Sequence, residues 1–229
     1  MDLSSDIKEA FKAAVPIMLG YVAIGIPCGI LSASIGLDWV QVLLLCALFY
    51  SGAGQFMIPN MWLALSSPAS IIASVSFVNT RQMLYSAAFA PWCKGASKRL
   101  SFLFAATVTD ESFGVNTQRF EAGGWSVRRA AFVNLFSQSS WTLSCMAGVL
   151  LGDALGIPLA IASFAMTSIF ICLLVTQKIC AANAVSALGA VLGVILCKCL
   201  GVAGPAIFVG AVVGVACAIV FTGIREKVG

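Results

Sequence analysis

The sequence predicts an all-α polytopic membrane protein with seven or eight transmembrane helices, and three observations carry that expectation. First, 60% of the 229 residues are hydrophobic, mean hydropathy is +1.01, and 10% of residues are charged, against about 25% in a soluble domain. Such a chain lacks the polar groups to cover itself in water. That composition excludes a soluble enzyme, a nucleic-acid binder and a disordered scaffold. Second, residues 13–37, 39–80, 130–152, 154–177, 179–197 and 199–224 carry no charge, and roughly 20 apolar residues cross a hydrocarbon core of about 30 Å as a helix. Third, these runs lack the alternation of a membrane barrel, so helices are the expected spanning form.

In chain order the predicted spans are 13–35, 40–58, 69–92, 129–151, 157–176, 180–197 and 202–222. The long run 39–80 holds two of them, separated by Pro59, Asn60, Ser66, Ser67 and Pro68. A weaker segment, 100–118, carries Asp110 and Glu111 and either crosses or is re-entrant. Residues 1–12 form a polar lead without the pattern of a cleavable signal, and 1–229 reads as one integral-membrane transporter domain. Basic residues gather in short connections: Lys94, Lys98 and Arg99; Arg119, Arg128 and Arg129; Arg225 and Lys227. This is the pattern of cytoplasmic loops. With seven crossings the N-terminus is expected outside. Nine cysteines fall almost entirely in apolar runs, no CxxC pair occurs, and histidine is absent. Neither a metal site nor a cofactor is expected.

Polar and small residues interrupt the early spans. The first holds Pro16, Gly20, Gly25, Pro27 and Gly29. The second holds Tyr50-Ser51-Gly52-Ala53-Gly54-Gln55-Phe56. Both are expected to be broken by glycine and proline, freeing backbone groups toward a cavity, although Gly25-x-x-x-Gly29 also fits a close helix crossing. The third span carries Asn79, Arg81 and Tyr85. An arginine within a helix centre is costly in lipid and is expected to face the bundle interior. Thr107 and Asp110 have the spacing of a helix cap. Asn134 and Gln138, four apart, form a polar stripe suited to interhelical hydrogen bonds. Weak self-similarity lays Ala13-Ala14 and Gly29-Ile30-Leu31 over Ala130-Ala131 and Gly148-Val149-Leu150.

This ordered set, from Pro16 through Ser51-Gly52-Ala53-Gly54-Gln55-Phe56 and Asn79-x-Arg81-x-x-x-Tyr85 to Thr109-Asp110-Glu111, resembles the AzlC family of branched-chain amino acid permeases. The resemblance rests on motifs over residues 10–120 and on hydropathy and length beyond. It implies a secondary transporter of the bacterial inner membrane that exports valine, leucine, isoleucine or other hydrophobic amino acids, working with a small AzlD-type membrane subunit. Many members carry histidine after the third-span arginine. Here that position is Gln82, so no mechanism that protonates a histidine there operates in this chain.

A zwitterion with an apolar side chain needs matched polar groups. Tyr21, Tyr50, Ser51, Gly52, Gly54, Gln55, Asn79, Arg81 and Tyr85 are the expected substrate contacts. Arg81, or the N–H groups near Gly52 and Gly54, would hold the carboxylate. Asp110 or Glu111 would hold the ammonium or carry a coupling proton, with Phe56 and Phe113 shaping the side-chain pocket. A small-ion channel and a non-transporting assembly subunit are the alternative readings. An enzyme is not expected, since no nucleophile–base pair is visible.

Overall fold

The computed structural model describes residues 3–155, 158–175, 180–201 and 206–228. Among them are ten helices and no strand: α1 (Leu3–Ser34), α2 (Trp39–Leu48), α3 (Gly52–Leu63), α4 (Pro68–Ala88), α5 (Lys98–Ala106), α6 (Asp110–Glu121), α7 (Val127–Leu155), α8 (Leu159–Val175), α9 (Ala181–Cys199) and α10 (Ala206–Val228). By length and apolar composition, α1 and α9 suffice to cross a membrane. Helices α4 and α7 have 21 and 29 residues but carry more polar side chains. The predicted ends at 157, 176 and 202, together with Gly156 and Lys178, lie outside the described residues. Two compact units form, Met1–Asn60 with Val78–Met166, and Met61–Phe77 with Thr167–Gly229.

The first unit is built on α1 and α7 running side by side in the same direction. At one end Arg129 Nε donates to Asp6 at 2.7 Å. Toward the other, Gly25 and Gly29 meet Ser144, Cys145 and Gly148. A Cβ on Gly29 would lie 2.0 Å from the Cys145 carbonyl oxygen, and one on Gly148 would lie 2.2 Å from that of Ile26. Only glycine permits this approach, and close packing is what joins helices where lipid offers no hydrophobic drive. The two helices related by the weak self-similarity are therefore the two that pack together.

The expected break in the first span does not occur. Helix α1 runs continuously for 32 residues through Pro16 and Pro27. It packs against α7 along its length, and Ser140 Oγ of α7 donates to the Met18 carbonyl between the prolines at 2.9 Å. Neighbouring helices and hydroxyls commonly make such prolines tolerable.

The expected break in the second span, 40–58, does occur. The chain breaks at Phe49–Ser51 and folds back. Gln55 Nε2 reaches the carbonyl of Leu45 at 3.5 Å, and its Oε1 lies 3.4 Å from Cys46 Sγ; ten residues of straight helix would separate such groups by about 15 Å. Asn60 on α3 bonds Ser163 near the start of α8, so α3 returns toward the end where α7 finishes.

Segment 100–118 makes a second helix–break–helix hairpin, α5–α6. Its two ends stand with the start of α1, because Asp6, Lys94, Leu100 and Arg128 line one pocket. Its break, 107–109, lies at Tyr21, midway along α1. The cap of α6 is Thr109, not Thr107: its side chain accepts from Ser112 N, and the Ser112 hydroxyl accepts from Thr109 N. Thr107 instead closes α5, donating to the Leu103 carbonyl at 2.7 Å. The two hairpins thus enter from opposite ends of the α1–α7 pair. Their helices have 9 to 12 residues, about 14–18 Å each, half the core of a bilayer. An aromatic cluster of Phe89, Phe104 and Phe120, with Val108, Val127, Ala130 and Ala131, seats the α5–α6 hairpin against the end of α4 and the start of α7.

In the second unit α9 and α10 meet through Gly189, Gly193, Gly210 and Gly214. A Cβ on Gly214 would lie 2.6 Å from the Ser186 carbonyl oxygen.

Gly29→Val forces a branched side chain into the α1–α7 crossing, where overpacking costs about 1–3 kcal/mol. Its unfolding temperature in detergent should fall clearly below that of the unmodified protein. Gly20→Ala, with nothing within 4 Å of the added carbon, should leave it unchanged.

Candidate functional site

Breaking a helix strands backbone carbonyls, and these must find donors away from water. At the α2–α3 break Gln55 supplies one: Nε2 donates to the Phe49 carbonyl at 2.6 Å. Its Oε1 accepts from Trp141 Nε1 at 2.8 Å. Gln138 Nε2 donates to the Cys46 carbonyl at 3.2 Å. At the α5–α6 break Asn134 Nδ2 donates to the Phe104 carbonyl at 3.1 Å and to Thr107 Oγ1 at 3.2 Å. Asn134 Oδ1 accepts from Asn116 Nδ2, whose own Oδ1 accepts from Trp125 Nε1. Asn134, Gln138 and Trp141 lie on one face of α7. One helix thereby stitches both breaks.

The stitched breaks present their tips to Tyr21. Its hydroxyl donates to Glu111 Oε2 at 2.7 Å and lies 2.8 Å from Thr109 Oγ1. The ring packs edge-on against Trp141, which also meets Phe56. Tyr50, from the other break, places its hydroxyl beside Tyr21 and Thr109 but makes no hydrogen bond there, although the oxygen is buried. Ser51 caps α3: its hydroxyl accepts from Gly54 N at 3.1 Å and donates to Asn79 Oδ1 of α4 at 2.6 Å. A Cβ on Gly54 would meet the Phe49 ring at 2.8 Å and Ser51 Oγ at 2.9 Å, so a larger residue there displaces those side chains. Gly52 abuts the Trp141 ring.

Two residues along α4 from Asn79 lies the charged pair. Arg81 NH2 sits 2.8 Å from Asp110 Oδ2, and Tyr85 donates to Asp110 Oδ1 at 2.8 Å. Tyr85 stacks on Phe113 with ring centroids 4.4 Å apart. Arg81 Nε is buried without a partner. The adjacent carboxylates serve different helices, Asp110 reaching α4 and Glu111 reaching α1, as their 100° separation on α6 requires. Glu111 forms no ion pair among the described residues, so one guanidinium stands here with two carboxyl groups.

All eleven expected site residues therefore belong to one neighbourhood of α1, α4, α6 and the two breaks. They divide by state. Gln55 has its amide committed to the fold, and Arg81 is held by Asp110. Tyr50 and Arg81 Nε keep unused polar capacity. Sequence reasoning missed Thr109 as the cap and Trp141 as the donor to Gln55. The Thr109–Ser112 spacing was a readable cap signal; nothing local marked Trp141. Among the described residues no group of three His, Cys, Asp or Glu side chains is placed to hold a metal.

The AzlC protein family matches residues 16–155, which spans α1 through α7 and both breaks. The chain belongs to the AzlC family. An uncharacterized membrane protein of Helicobacter pylori is 30% identical over 88% of this chain and 87% of its own length. The branched-chain amino acid transport protein AzlC of Bacillus subtilis is 26% identical over 77% of this chain and 71% of its own. The inner membrane protein YgaZ of Escherichia coli is 26% identical over 84% and 83%. No solved structure matches the chain. The AzlC match covers every motif residue from Tyr21 to Glu111.

Gln55→Leu removes the donor to Phe49 and the acceptor for Trp141. A buried group left unsatisfied costs about 1–3 kcal/mol. Thermal unfolding in detergent should show a large loss, and Gln55→Glu, which keeps the acceptor, should lose less.

Proposed function

We propose that the chain is a secondary transporter that moves branched-chain or other hydrophobic amino acids out across the bacterial inner membrane. Transport rather than catalysis is the activity. The observation that carries this reading is the paired Arg81–Asp110 set between two helix breaks, with a buried arginine donor and a buried tyrosine hydroxyl unused beside it. Broken helices at mid-membrane are where transporters bind small polar groups, and intramembrane charges mark substrate or ion paths.

In the mechanism, Arg81 exchanges Asp110 for the substrate carboxylate. Released Asp110, or Glu111 with no cation of its own, then takes the ammonium or a proton. That exchange couples substrate to proton, because a protonated Asp110 no longer competes for Arg81. Tyr21, Tyr50, Ser51, Asn79 and Tyr85 line the path, with Gly52 and Gly54 keeping the backbone accessible and Gln55 holding the break. Phe56 and Phe113 flank the side chain of the substrate. A small AzlD-type subunit completes the exporter, and 1–229 acts as one transporter domain.

In the bilayer, α1, α4, α7, α8, α9 and α10 cross once each, while α2–α3 and α5–α6 are re-entrant. That is six crossings, where hydropathy reads seven or eight. This order places the N-terminus, the 89–97 connection and the 122–126 connection on one side, with their basic residues, as the positive-inside bias favours. The N-terminus is then cytoplasmic rather than outside.

The test of function is efflux from cells preloaded with a valine-containing dipeptide, with and without a co-expressed AzlD-type partner. Arg81→Ala should cut valine efflux at least tenfold while the protein remains in the membrane. Undiminished efflux sinks the exchange mechanism. Asp110→Asn in proteoliposomes should flatten the pH dependence of transport.

Topology is read separately by impermeant maleimide on single cysteines in a cysteine-free background. Leu37→Cys and Ser66→Cys should label from the same face, and Lys94→Cys and Glu121→Cys from the opposite one. Labelling of Leu37→Cys and Ser66→Cys from opposite faces would mean that 39–63 crosses.

A further inference from the structure

We propose that the pocket at the Asp6 end of the first unit binds the phosphate of an anionic phospholipid. The pocket has a volume of about 360 Å³ and is lined by Asp6, Trp92, Lys94, Leu100, Ser126 and Arg128, among others. Three separate parts of the chain meet there: the first turns of α1, the connection between α4 and α5, and the first turn of α7.

Its electrostatics favour an anion. Asp6 is 1% exposed and its carboxylate is already engaged, by Arg129 Nε at 2.7 Å and Arg128 NH1 at 3.6 Å. Two guanidinium groups against one carboxylate leave one positive charge in excess. Lys94 is exposed, enters no ion pair among the described residues, and adds another. Arg128 is half exposed, so its remaining donors are open to the pocket. A guanidinium beside an ammonium matches a phosphate diester in charge and in donor geometry. The Ser126 hydroxyl accepts from Arg129 N at 3.2 Å, which leaves its own proton to donate. The leading N–H groups of α7 have no intrahelical acceptor and add to the positive end.

The walls favour a lipid over a free anion. Trp92 and Leu100 are apolar sides of the pocket, and beyond Leu100 on the same helix Phe102 and Leu103 are exposed. A tryptophan beside basic residues is the composition found at head-group depth, and basic pockets between helix ends take anionic head groups. A lipid held there would brace the base of the α5–α6 hairpin against α1.

The test uses purified protein in dodecyl maltoside and reads unfolding temperature on adding phosphatidylglycerol, phosphatidylcholine or potassium phosphate at matched ionic strength. Phosphatidylglycerol should raise it and phosphatidylcholine should not. Lys94→Gln, which breaks no ion pair among the described residues, should remove about half of the shift or more, consistent with one cation lost near a charged surface. Lys94→Arg should retain the shift, and Lys198→Gln on α9 should not alter it. If potassium phosphate reproduces the shift and Lys94→Gln abolishes it, the pocket is a phosphate site fed by the free anion. Equal shifts with both lipids, or an undiminished shift in Lys94→Gln, overturn the proposal.

Discussion

A helix that breaks in an apolar interior strands carbonyls with no water to receive them, and this fold depends on how those carbonyls are matched. The donors come largely from one helix. Asn134 satisfies the end of α5, Gln138 satisfies α2, and Trp141 fixes the glutamine that satisfies Phe49. The spacing of these three residues puts them on a single face, so α7 acts as a polar spine between two hairpins. Removing Asn134 takes away the acceptor of the buried Asn116 amide, and a buried group left unpaired costs more than the hydrogen bond itself contributes.

The spine requires α1 and α7 to lie unusually close, and the glycines make that possible. With Gly25, Gly29 and Gly148 at the crossing, the mid-point of α1 is brought within reach of both breaks. Tyr21 is the result. It touches Glu111 and Thr109 of one hairpin and Trp141 of α7, which in turn bonds Gln55 of the other.

Charge is distributed along the α1–α7 pair with equal economy. The middle holds Arg81, Asp110 and Glu111, one guanidinium with two carboxyl groups, where low dielectric makes each partner consequential. The end near Asp6 reverses the balance, with Arg128, Arg129 and Lys94 outnumbering one buried carboxylate. The first arrangement is the basis of the exchange with a zwitterion that we propose. The second suits a lasting grip on an anionic surface, and Arg129 and Arg119 over Trp125 reinforce that end with cation–π contact.

Composition and charge spacing by themselves determined that the chain is helical and built for a bilayer, because those properties are sums over residues. The motif residues were also legible, since a polar or charged side chain in an apolar run is costly wherever it ends up. Asn134 and Gln138 were readable as interhelical donors for the same reason. What hydropathy could not distinguish was a helix that crosses from one that turns back. Residues 40–58 are as apolar as a true span, and only the contact of Gln55 with Leu45 and Cys46 shows the chain reversing. Conversely, Pro16 and Pro27 marked a break that α1, packed along α7, does not make. Tertiary structure alone decided which carboxylate pairs with Arg81, because adjacent residues on α6 point to different neighbours. It also decided that Asp6, Lys94 and Arg128, far apart in sequence, share one pocket.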